Sequence, residues 1–178
     1  MSPGTSGACS RTAPAWWIQM LNLVLTGLMV VAAAAGFHRA FGEGRAARWA
    51  PRLLAVYGVA LVAAGIFRAD PMNGFPIGGP DGPPAHPTLA GTLHVVAGGV
   101  GFLALVAVTW LLAARLRHEG RRRQAAATRA TGVLFLVAFA AIASGAVSPA
   151  VNLAFTAAVV LTWAWLSLTS LQQYRATA

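Results

Sequence analysis

Lysine is absent from this sequence of 178 residues, acidic residues number four, and there is a single cysteine. The lone Cys9 excludes an internal disulfide framework. It precedes the first apolar run, which argues against a lipid-anchored thiol. Charged residues make up 10% against 57% hydrophobic, and that scarcity excludes an ordinary water-soluble domain. Nucleotide fingerprints are missing too. No lysine or Ser/Thr completes a phosphate loop after Gly78-Gly79 or Asp81-Gly82, and no βαβ pattern surrounds Gly91, Gly98, Gly99 and Gly101.

What is present is apolar sequence in long runs, with a mean hydropathy of +0.65. A span needs about 20 such residues, because only a helix can satisfy its own backbone in hydrocarbon. Five stretches qualify, predicting helices over about 15–38, 51–68, 89–114, 131–147 and 149–171. The fold class expected is all-α, a polytopic transmembrane helix bundle of five spans occupying residues 15–172. Residues 1–14 read as a disordered tail and residues 173–178 as a short cytoplasmic one. A cleaved signal peptide is not expected, since a secretory h-region is shorter than the first span. Trp16 and Trp17 open that span at headgroup level.

All 13 basic residues are arginine, and the net charge is +9. Their positions point away from nucleic acid, for they stand between spans. Residues 39–52 hold four arginines and residues 115–130 hold six, so both segments should be cytoplasmic. The loop over 69–88 then lies outside the cell, with the N-terminus outside and Arg175 inside. The expected location is the bacterial cytoplasmic membrane. Arg115, Arg117, Arg121, Arg122 and Arg123 are placed to meet anionic lipid head groups.

Polar residues inside the spans are few. Gln19, Asn22 and Thr26 share a face of the first helix, and Asn152 and Thr156 share one of the last; interhelical hydrogen bonding is the simplest use of both sets. Gly58 and Gly65, like the glycines after Gly91, offer close helix contact. His38 and His118 sit among arginines at span ends. Ser148-Pro149 reads as an N-cap followed by a first helical residue. The stretch 69–88 carries six prolines and four glycines and reads as an irregular loop.

The series Trp17-x-Gln19-x-x-Asn22-x-x-x-Thr26-Gly27, then Gly65-Ile66-Phe67-x-x-Asp70-Pro71 with Gly74-Phe75-Pro76, then Gly91-Thr92-Leu93-His94 resembles the membrane-protein family called domain of unknown function 998. The resemblance covers about residues 16–170. It implies a six-helix bundle whose second helix matches the first span here, so that a first helix is missing through divergence or a misassigned start. Ser148, Pro149 and Asn152 stand where the resemblance would place a charged motif. No activity follows from membership.

Asp70 and His94 flank the loop and are the candidate site residues. A hydrogen bond between them that pins the loop is the simpler reading; a proton- or ligand-handling pair is the sharper one. Arg68 is a candidate anion-binding group. Asp70, His86 and His94 form only a weak metal set, because zinc asks for three or four well-spaced ligands, and no metal or cofactor is expected. Ser144 and Ser148 are possible nucleophiles without a supporting motif. The function expected is that of a non-enzymatic module binding lipid, a partner membrane protein or a second copy. The alternative is an intramembrane hydrolase or proton-coupled carrier acting through Asp70 and His94. Five spans without an inverted repeat count against a carrier.

Overall fold

Hydrocarbon offers no hydrogen-bond partners, so each apolar stretch satisfies its backbone within a helix. The computed structural model describes residues 15–74, 79–80, 82–146 and 148–177. They form five helices: α1 (Ala15–Ala40), α2 (Arg45–Ile66), α3 (Leu89–His118), α4 (Arg122–Ala143) and α5 (Pro149–Thr177). All five are long and apolar enough to cross a membrane, and there is no strand among the described residues. The shortest, of 22 residues, rise about 33 Å, against a hydrocarbon core of about 30 Å. The tail over 1–14, Phe75, Pro76, Gly78, Asp81 and the side chain of Trp16 lie outside the described residues.

Two helices begin earlier than a charge-based boundary suggests. α2 starts at Arg45 and α4 at Arg122, so Arg45, Arg48, Arg52, Arg122, Arg123 and Arg129 are helical. Arginine and alanine are strong helix formers, and a long guanidinium stem reaches polar surroundings without unwinding the backbone. Pro51 is tolerated inside α2, although its missing N–H leaves the Ala47 carbonyl without a ladder bond. The link between α3 and α4 therefore shrinks to three residues, 119–121. Gly120 closes it at φ 77, where Arg121 N–H donates to the Leu116 carbonyl.

Each helix packs against its neighbours in sequence, and α5 returns lightly against α1. Glycine sets how closely these pairs approach. A Cβ on Gly27 would lie 2.5 Å from the Gly58 carbonyl oxygen, and one on Gly58 would lie 2.7 Å from that of Gly27, so α1 and α2 touch backbone to backbone. Gly101 likewise lies against Ala60 and Tyr57, and Gly132 against Thr109. The centre is filled by Leu54, Tyr57, Leu105, Val108 and Phe135, all at most 2% exposed. Phe102 meets Phe135, Phe139 and Phe155 edge-on at 5.2, 5.2 and 5.7 Å. Two indoles tie α5 to other helices: Trp163 donates to the Tyr57 hydroxyl of α2 at 3.1 Å and Trp165 to Thr128 Oγ1 of α4 at 3.0 Å.

The outer surface is apolar, as lipid requires, with Leu89 and Met29 among its most exposed side chains. Trp49 and Trp110 are exposed near the arginine-rich end, where tryptophan marks the edge of the hydrocarbon. From Leu89 to Trp110 the axis rises about 32 Å, one bilayer core. Gly65 lies against Met20, Leu23 and Val24, while His94 bonds to Ala64. Asn22, Gly65 and His94 thus stand at one level, about 8 Å inside the Leu89 boundary.

Candidate functional site

A helix ends with carbonyls that have no donor and begins with N–H groups that have no acceptor. Where α2 stops and α3 starts, the two candidate residues supply these needs crosswise. His94, within α3, directs Nδ1 at the Ala64 carbonyl (2.8 Å), in the last turn of α2, and at the carbonyl of the α2 C-cap residue Phe67 (3.0 Å). Both neighbours are acceptors, so Nδ1 carries a proton and donates to them. Asp70, just past α2, accepts from Thr88 N–H (2.8 Å) and from the Thr88 hydroxyl (2.6 Å). Thr88 is the N-cap of α3: its Oγ1 accepts from Gly91 N–H at 3.0 Å, and its carbonyl accepts from the Thr92 hydroxyl at 2.9 Å.

The carboxylate of Asp70 therefore sits over the positive end of α3, which favours its charge. The Thr88 hydroxyl, and then the Thr88 N–H, hold its pKa below the usual carboxylate range. Glycine is needed at position 91 because a Cβ there would run into the Asp70 carboxylate. The expected Asp70–His94 hydrogen bond is not what joins loop to helix. Each residue caps the other's helix instead, because helix ends offer several unsatisfied groups while a single Asp–His bond would leave them bare. The two residues form a clasp across the base of the loop. Its chemistry is limited: the carboxylate is held by two donors, Nδ1 is committed, and only Nε2 of the ring remains able to accept.

The other candidates stand apart. Arg68 is exposed beside the clasp, and His86 is exposed in the loop. Among the described residues no three His, Cys, Asp or Glu side chains gather as metal ligands, so Asp70, His86 and His94 are not brought together in that way. Ser144 donates to the Ala141 carbonyl at the end of α4, and Ser148 Oγ accepts from Val151 N–H at the start of α5. Both serve as helix-end groups. Thr88, central to the clasp, carries a signal that sequence reading passed over: a hydroxyl directly before an apolar run.

At the arginine-rich end α3, α4 and α5, with Phe41 just past α1, surround a groove of about 170 Å³ whose lining includes Phe41, Arg115, Arg121, Gln124, Trp165 and Gln172. Arg115 Nε donates to Glu119 Oε1 at 2.7 Å, and its guanidinium lies 4.5 Å from the centre of the Phe41 ring. Its Nη1 is shielded from solvent and has no acceptor among the described residues. The hydrogen bond from Arg115 holds the Glu119 carboxyl below its usual range; partial burial opposes this, and Arg121 at 3.5 Å adds to it.

Comparison with curated proteins and with solved structures returns no match. One family model, described as "Protein of unknown function (DUF998)", matches residues 7–172. A match of that extent takes in α1 to α4, most of α5 and both halves of the clasp, and this chain of five membrane-length helices belongs to the DUF998 family.

Proposed function

We propose that the protein is a non-enzymatic membrane module whose arginine-rich end binds anionic lipid, with that end facing the cytoplasm of a bacterial cell. The observation that carries this reading is Arg115, a partly exposed guanidinium that lines, with Arg121, a groove at headgroup level. A planar guanidinium suits phosphate oxygens, which it can engage two at a time. Glu119 offsets one charge of the pair Arg115 and Arg121, and Arg117, Arg122 and Arg123 stand nearby in sequence. Each such cation near a negative leaflet contributes about 1 kcal/mol of attraction. The hydrolase and carrier readings have less behind them, since Asp70 and His94 are engaged in capping helix ends.

The test is thermal unfolding in nanodiscs of phosphatidylcholine, with and without phosphatidylglycerol. Anionic lipid is expected to raise the midpoint by linkage, since it binds the folded chain. Arg115→Met should lose part of that increment, and Glu119→Gln, which removes the competing carboxylate, should enlarge it. Equal midpoints in the two lipids for the unaltered protein would refute the reading.

A further inference from the structure

One face of α1 is left unpartnered by the bundle. Ile18, Asn22, Leu25, Met29, Ala32 and Gly36 are all exposed along it. Their spacing alternates four and three residues, the rhythm of a helix that packs along its length against another helix. Met29 is 71% exposed, and nothing lies within 4 Å of where a Cβ on Gly36 would stand. Lipid covers the apolar members adequately. It does not serve Asn22, whose amide bonds to no described residue. That amide stands about 8 Å inside the boundary marked by Leu89, where hydrocarbon supplies neither donor nor acceptor. Gln19, one turn towards the boundary, is exposed in the same way.

We infer that α1 is a self-association surface, pairing two copies of the chain as a parallel dimer about a two-fold axis along the membrane normal. Copies inserted in one orientation bring equal levels together, so Asn22 of one copy meets Asn22 of the other. A carboxamide carries both donor and acceptor and is its own complement across such an axis. Towards the arginine-rich end Ala32 and Gly36, four residues apart, let the two backbones approach closely. The opposite side of α1 is already occupied, with Gly27 against Gly58 of α2, so the bundle does not compete for this face.

The experiment uses the full chain with Cys9→Ser, reconstituted in phosphatidylcholine vesicles. Met29→Cys is expected to oxidise to a disulfide-linked dimer, while Leu28→Cys, exposed but turned off the seam, is expected not to cross-link. In single-molecule photobleaching, Asn22→Leu should weaken association about five-fold or more, and Asn22→Gln should retain it. Thermal unfolding midpoints of the Asn22 variants are measured alongside, and those of Asn22→Leu and Asn22→Gln are expected to agree. The inference is overturned if the chain with Asn22 intact is monomeric at every protein-to-lipid ratio. It is overturned equally if cross-linking favours Leu28→Cys over Met29→Cys, or if Asn22→Leu dimerises undiminished.

Discussion

Replacing His94 by leucine keeps the bulk of the side chain and removes the one N–H that serves two carbonyls. Ala64 and Phe67 would then lose their donor at the end of α2. An unsatisfied acceptor costs about 1–3 kcal/mol when dry and less where water enters. Ala64 is buried, Phe67 is half-buried, and the site is close to the membrane boundary, so the two losses together should come to about 2 kcal/mol, roughly thirty-fold in the opening of that turn. Amide hydrogen exchange in nanodiscs reads this directly, with faster exchange expected at residues 66–68 and little change in α4. His94→Asn places an amide nitrogen at about the reach of Nδ1 and should recover most of the protection. Unaltered exchange in His94→Leu, or no recovery in His94→Asn, would refute the capping account. A cellular phenotype lost in His94→Asn while protection is kept would instead point to chemistry at Nε2.

The lowered pKa of Asp70 has a defined sign: its contribution to stability is complete above the ordinary carboxylate range and is lost as pH falls through the lower folded value. Protection at residues 88–92, corrected for the intrinsic pH dependence of exchange, should therefore fall in acid, and Asp70→Asn should be less protected at neutral pH with a flatter pH profile; an acid limb unchanged by Asp70→Asn would contradict this. Gly27→Val should destabilise the bundle by about 1–3 kcal/mol, because even its Cβ meets the Gly58 carbonyl oxygen. Gly98→Val, with open space at the same atom, should be tolerated; denaturant unfolding that ranks the two alike would overturn the packing argument.

The spans could be read from the sequence because hydrocarbon thickness sets a length that five apolar runs satisfy. Helix starts were harder to read. Arginine marks the polar level of a membrane protein without marking the end of a helix, so Arg45 and Arg48, and Arg122 to Arg129, read as loop and fold as helix. Asp70 and His94 stood out as ionisable groups at span ends, and their nearness across the loop followed from antiparallel helices. Their partners did not follow, because backbone carbonyls and N–H groups are present at every residue, and only the ends of α2 and α3 decide which are free. The bond from Trp163 to Tyr57 joins positions 106 residues apart with no pattern to announce it. Arg115 looked like one of several surface cations, and only packing on Phe41 distinguishes it.

The clasp also bears on how the chain can be altered. Its hydrogen bonds tie α2 to α3 at the foot of the loop, and a second tie runs from Asn73 N–H to the Gly82 carbonyl. Added length beyond those ties raises closure entropy only with its logarithm, about 0.6 kcal/mol per doubling. The bundle is thus insulated from what hangs between Pro84 and His86, where the chain is exposed or half-buried. A tag or a small folded domain spliced in there would be carried as cargo while the five helices stay in register.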